Sequence, residues 1–118
     1  MSNETNIQIL QLAKSKLTPE SWFQEKTDFG PEGYDTEKHC CFYLALCKAS
    51  RECDLLTVSQ SLCRQVAANL EQVRDGRWAW AKDDPIGKII DWNDVPGRTV
   101  EEVHAKIDEA IAGLQAAP

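Results

Sequence analysis

The residues best suited to chemistry lie together in one short stretch near the C-terminus. Trp92, Asn93, Asp94, Arg98 and Thr99 place an indole, an amide, a carboxylate, a guanidinium and a hydroxyl within a single turn-like segment. Asn93, Asp94 and Arg98 could together serve a small hydrolase or transferase. Asp94 and Arg98 also flank the turn and could instead form an ion pair across it.

A helix junction explains the same composition without any catalytic role. Asn93 can adopt the left-handed conformation that ends a helix, and Pro96-Gly97 suits the central positions of a type II turn. Thr99 followed by Glu102 is a capping box that would start the next helix. Trp92 would then be a core anchor beneath the turn. This junction accounts for nearly every residue, so we expect no catalytic residue here.

A second group of residues suggests binding. Trp78 and Trp80 are two positions apart, so in an extended segment they would share a face. An exposed tryptophan is a frequent binding hot spot, although both rings could instead pack as a lid over helix ends. The candidate binding residues are Trp78, Trp80, Asp83, Asp84, Asp91 and Asp94.

The five cysteines do not form a recognisable site. Their number is odd and no C-x-x-C pair occurs, which favours reduced, buried thiols over a zinc site or a disulfide framework. His39 and Cys41 are two residues apart and point to different faces of a helix, and His104 could approach Cys41 only through tertiary packing. We therefore expect no metal and no cofactor.

The charge distribution limits the partners. The net charge is −6, from 13 basic and 19 acidic residues, and residues 75–118 alone carry nine acidic and five basic groups. Such a surface disfavours direct nucleic-acid binding but would suit a protein partner with a basic surface. With no apolar run long enough to span a bilayer and no secretory signal at the N-terminus, we expect no membrane association and a cytoplasmic protein of bacterial or viral style.

The elements that must position these residues are all helical. Helical spacing predicts a first helix at 4–17, and Thr18-Pro19 predicts a short second helix carrying Trp22 and Phe23. The run "CCFYLALC", apolar on every face, predicts a central buried helix at about 37–51, capped by Thr36.

Three more helices follow from capping signals. Thr57 with Gln60 predicts a helix that ends near residue 74, and Asp84-Pro85 starts a short helix that ends near residue 92. Thr99 caps the last helix. The sequence therefore predicts an all-α, compact single domain over residues 1–118, with five or six helices around the central apolar helix.

The segment "WNDVPGRTVEEVHAKIDEAI" resembles the C-terminal signature of an uncharacterised family of small bacterial and phage proteins. In that family W-N-D, G-R-T and an E-V-containing helix recur, together with a central C-x-x-G-A-L element. Cys41, Ala45 and Leu46 match this element, whereas Leu44 stands where glycine is usual. Trp22 and Gln24 match an upstream tryptophan and glutamine. The resemblance implies no particular activity.

Three functional hypotheses follow. The first is a non-enzymatic binding or regulatory protein, in one version a phage- or mobile-element-encoded modulator of a host defence protein that acts through an acidic surface. The second is the hydrolase or transferase that uses Asn93, Asp94 and Arg98. The third is a structural homodimer formed through Trp78 and Trp80, so the chain would be a monomer or a homodimer.

Overall fold

The regular secondary structure in the described part of this chain is helical. The computed structural model describes residues 2–81 and 83–116, which contain α1 (Asn3–Lys16), α2 (Phe42–Glu52), α3 (Gln60–Ala67), α4 (Pro85–Asn93), α5 (Val100–Ala116) and a short 3₁₀ helix (Gly30–Glu32). That part of the chain has no β-strand and only one isolated bridge, between Trp22 and Cys40. The all-α prediction is confirmed.

One hydrophobic cluster joins all five α-helices. Helix α2 packs against α1 and α4, while α5 packs against α1 and α3. The inner face of α2 is fully buried, including Phe42, Ala45 and Leu46. This face contributes to the single core that the five helices share. Its outer face carries Lys48 and Arg51, so α2 is not apolar all round.

Local signals placed two helix starts and one turn correctly. The Asp84 carboxylate accepts a hydrogen bond from the backbone N–H of Ile86 at 3.0 Å, and Pro85 is the first residue of α4. The Thr99 hydroxyl accepts from the Glu102 N–H at 3.2 Å, and the Glu102 carboxylate accepts from the Thr99 N–H at 3.1 Å. Gly97 has a φ of +84°, as a type II turn requires.

The predicted second helix and the predicted start of the central helix are wrong for a shared reason. Residues 18–21 form a turn, and the next residues pair with the chain just before α2: Cys40 N–H donates to Ser21 O at 2.9 Å, and Phe23 N–H donates to Cys40 O at 3.2 Å. This pairing holds both segments extended. Helix α2 therefore starts only at Phe42, and Cys41 rather than Thr36 occupies the N-cap.

Helix α3 is shorter than predicted at both ends. Ser59 is its N-cap, because the Ser59 hydroxyl accepts from the Leu62 N–H at 3.1 Å, so the Thr57 capping box does not form. The helix ends at Ala67 rather than near Arg74. A turn in which Leu70 N–H donates to Ala67 O at 3.1 Å then brings Leu70 into the core.

Candidate functional site

Asn93, the last residue of α4, is a buried polar hub with no exposed surface. Its Oδ1 accepts from Trp22 Nε1–H at 2.7 Å and from the Phe42 backbone N–H at 3.1 Å. Its Nδ2 donates to Phe23 O at 3.0 Å. The amide thereby satisfies a donor in the first turn of α2 and ties α4 to the segment before α2. The left-handed conformation expected for Asn93 is wrong, since the residue is still helical.

Gln24 and Asp94 complete this hub. Gln24 Nε2 donates to the carbonyls of Asn93 at 2.9 Å and Val95 at 2.7 Å, which caps the C-terminal end of α4. The Asp94 carboxylate accepts from the Glu25 N–H at 3.0 Å and from Asn93 Nδ2 at 3.1 Å. These contacts fix the chain after Trp22 against the turn at residues 92–99, which we call the signature turn.

Trp92 is the core anchor that the sequence predicted, with 1% of its surface exposed. Its Nε1–H donates to the Glu71 carboxylate at 3.0 Å, and this bond, helped by Lys106, lowers the pKa of Glu71. The Arg98 guanidinium lies 3.8 Å from the centre of the Trp92 ring and donates from Nε to Trp92 O at 3.0 Å. Arg98 pairs with Glu102 at 3.0 Å, not with Asp94 as expected across the turn.

The residues considered for a hydrolase or transferase, Asn93, Asp94 and Arg98, are poorly accessible to a common substrate. The Asn93 amide is enclosed, and Arg98 is stacked on Trp92 with 14% of its side chain exposed. Asp94 is partly exposed and borders a charged cleft of about 410 Å³ that also holds Glu25 and Arg74. The three residues therefore do not present their polar groups to one common space.

Asp91 and Trp78 link α4 to the preceding tryptophan segment, which we define as residues 75–81. Asp91 is 4% exposed, and its carboxylate accepts from the Trp78 N–H at 2.9 Å. Burial raises the pKa of Asp91, while the hydrogen bond from Trp78 opposes that rise. Asp91 was expected on the acidic surface. Its carboxylate instead holds a loop from inside.

Two glycines make the close approach of the tryptophan segment possible. A Cβ at Gly76 would collide with the Asp91 carboxylate. A Cβ at Gly87 would lie 2.7 Å from Trp78 Cβ, so the segment rests directly on α4. Neither glycine was predicted as a site residue, because the importance of each depends on a contact with a distant part of the chain.

Trp80 is the exposed member of the tryptophan pair. The segment consists of turns rather than a strand, and 78% of Trp80 is exposed, whereas Trp78 is partly buried. Their ring centroids are 6.2 Å apart. Asp83 is exposed nearby in sequence, and Asp84 is occupied as the N-cap of α4. Of the candidate binding residues, Trp80 and Asp83 are the ones that face solvent most fully.

The cysteines and histidines do not assemble a site. All five cysteines are free, with Cys40, Cys47 and Cys63 buried. His104 Nε2 lies 2.6 Å from Leu17 O, so it is a satisfied boundary residue. Across residues 2–81 and 83–116, no group of three or more histidine, cysteine or acidic side chains could hold a metal ion.

One protein-family model matches most of this chain. Residues 1–113 match the family described as "Family of unknown function (DUF6197)". The chain belongs to this family. No curated protein and no solved structure matches the DUF6197 chain. Within the described part of this DUF6197 chain, no helix has both the length and the apolar character needed to cross a bilayer.

Several residues of the motifs that this DUF6197 chain shares with its family make hydrogen bonds in the hub around Asn93. Trp22, Gln24, Asn93 and Asp94 all take part in its hydrogen bonds. In this chain the W-N-D motif is therefore part of the internal framework. Glu71, which holds the Trp92 indole, was missed by sequence reasoning because nothing local marks an exposed glutamate as a partner of a distant tryptophan.

Proposed function

We propose that this chain is a non-enzymatic binding or regulatory protein that docks a basic protein surface through Trp80. The observation that carries the proposal is the exposure of Trp80, 78% in a chain that buries Trp92 almost completely. Removing a large exposed aromatic surface from water is favourable, and tryptophan is enriched at binding hot spots.

The packing of the tryptophan segment supports this role. Trp78 packs on Gly87 and its backbone is held by the buried Asp91 carboxylate, so Trp80 is presented from a fixed base. A side chain that is already positioned loses less conformational entropy on binding. The packing of Trp78 against α4 therefore favours binding through Trp80.

Charge supports a basic partner. Asp83 is exposed beside the tryptophan segment, and the chain carries a net charge of −6. Complementary charge mainly accelerates association, while the buried aromatic contact slows dissociation. Asp83 and Asp84 would then act on the on-rate, and Trp80 on the off-rate.

The proposal extends to the setting of the protein. Five free thiols without a disulfide fit a reducing compartment, which supports a cytoplasmic location. A phage- or mobile-element-encoded modulator of a host defence protein is a concrete version, in which the acidic surface competes with phosphate for a basic groove. The sequence resemblance and the net charge support that version.

The test compares matched baits in a pull-down from a bacterial lysate. We expect a basic protein to be retained by the parent chain and lost with Trp80→Ala. Leu56→Ala is the matched control, because Leu56 is also an exposed hydrophobic residue, at 94%. In surface binding kinetics with the captured protein, Trp80→Ala should speed dissociation by about 30-fold, which corresponds to about 2 kcal/mol. Asp83→Lys should slow association and reproduce the effect of added salt.

Several results would overturn the proposal. Capture that is equally lost with Leu56→Ala would indicate non-specific adhesion. Salt-independent association would remove the electrostatic argument. Self-association abolished by Trp80→Ala, seen by analytical ultracentrifugation, would replace the basic partner with a second copy of the chain.

A further inference from the structure

A cleft of about 620 Å³ lies between the C-terminal end of α1, residues 36–37 and the outer face of α2. Three basic residues line it: Lys16, Lys48 and Arg51. Lys48 and Arg51 are three positions apart on α2 and therefore share one face of the helix. A basic concentration of this kind is unexpected in a chain with a net charge of −6.

The two lysines of this cleft are held in place by contacts with the protein. Lys48 Nζ donates to His39 O at 3.2 Å, and Lys16 Nζ pairs with Glu52 at 2.8 Å. Both ammonium groups also act on Cys40, where they oppose the rise in thiol pKa that burial causes. The two lysine ammonium groups therefore lie close enough to Cys40 to influence its thiol.

The remaining lining residues define what the cleft can take. Glu37 and Glu52 contribute two carboxylates, so the three cations leave a local excess of positive charge. The Thr36 hydroxyl is a further hydrogen-bond donor, and Leu44 forms an apolar wall. Such a lining suits a compact anion that also carries a small apolar part.

We propose that this cleft is a binding site for a small phosphate-bearing molecule, with the phosphate held between Lys48 and Arg51. A guanidinium presents paired donors that match phosphate oxygens, and an ammonium adds a point charge. A doubly charged phosphate gains more from these two cations than a single carboxylate does. The site uses none of the residues assigned to the Trp80 surface, so either proposal can fail alone.

The experiment is calorimetric titration of the full chain at low ionic strength, with inorganic pyrophosphate as the probe. We expect saturable binding at one site with a dissociation constant on the order of 1 mM. Arg51→Gln should weaken binding about tenfold, which corresponds to about 1.4 kcal/mol. Lys48→Gln should do the same. Circular dichroism and urea unfolding of each variant establish that the fold is retained.

Lys38→Gln is the matched control, because Lys38 is an exposed lysine near the cleft in sequence but not part of its lining. This variant should bind pyrophosphate like the parent. Absence of saturation, or an equal loss in Lys38→Gln, would overturn the site. Citrate bound as tightly as pyrophosphate would overturn the assignment to phosphate.

Discussion

The side chain of Asn93 uses its hydrogen-bonding groups inside the fold. Its carbonyl oxygen accepts two hydrogen bonds and its amide nitrogen donates two. Every one of these contacts lies within the protein. A buried polar group with all its partners stabilises a unique arrangement, and loss of that group leaves its partners unsatisfied. The signature turn is therefore best understood as a junction between segments.

At the residue scale we predict that Asn93→Ala lowers the free energy of unfolding by about 3 kcal/mol. The substitution leaves the Trp22 indole N–H and the Phe42 backbone N–H without their acceptor. Urea denaturation followed by circular dichroism measures this loss. Asn69→Ala is the control, because Asn69 makes one exposed bond, to Gln65 O, and should cost about 0.5 kcal/mol. Equal, small losses in the two variants would contradict the hub.

Arg98 also has a different role from the one its neighbours in sequence indicate. Asp94 is close in the chain, yet the guanidinium covers the Trp92 ring at 3.8 Å and pairs with Glu102. A flat cation above an indole gains from the ring quadrupole and shields apolar surface from water. The turn at Pro96-Gly97 brings Arg98 back over the end of α4, and this position decides which groups the guanidinium contacts.

At the element scale, α4 and α5 offer the same substitution in opposite surroundings. Gly87 lies in α4 against Trp78, with a Cβ position 2.7 Å from Trp78 Cβ, whereas a Cβ at Gly113 in α5 would meet nothing within 4 Å. Alanine is favoured over glycine inside a helix by roughly 0.5–1 kcal/mol. Helix propensity alone would therefore raise stability at both positions.

We predict opposite signs for the two substitutions. Gly113→Ala should raise the free energy of unfolding by about 0.5–1 kcal/mol. Gly87→Ala should lower it by about 1–3 kcal/mol, because the new methyl group must push the tryptophan segment away from α4. Urea denaturation gives both values, and tryptophan fluorescence reports any movement of Trp78. A gain in stability at both sites would show that the segment is not packed as described.

At the scale of the whole molecule, individual carboxylates pull the pH dependence of stability in opposite directions. Burial raises the pKa of Asp91, so its contribution to stability is greatest in acid and falls as the pH rises through its unfolded and folded pKa values. The Trp92 hydrogen bond lowers the pKa of Glu71, so its contribution is present above the unfolded pKa and is lost as the pH falls.

We therefore predict that Asp91→Asn gains stability relative to the parent as the pH is raised from about 3 to about 7. Glu71→Gln should show the reverse, losing stability relative to the parent over the same range. The measurement is the free energy of unfolding in urea at a series of pH values. Parallel profiles for both variants and the parent would contradict the assigned environments.

The sequence by itself determined the helical class and the features whose partners lie within a few residues. The N-cap at Asp84, the reciprocal box of Thr99 and Glu102 and the positive φ of Gly97 depend on local geometry, so residue type and spacing were enough to predict them. Helical spacing likewise predicted the first helix, because helical periodicity is a local property.

Only the tertiary structure decided which side chains are used inside the fold and which face solvent. Asn93 meets Trp22 across 71 positions and Phe42 across 51, and these contacts occupy the amide that was a candidate catalytic group. Trp80 is exposed, whereas Trp78, two residues earlier, rests against Gly87. Such contacts depend on how distant segments pack, and pairing over long separations leaves no periodic or capping signal in the chain.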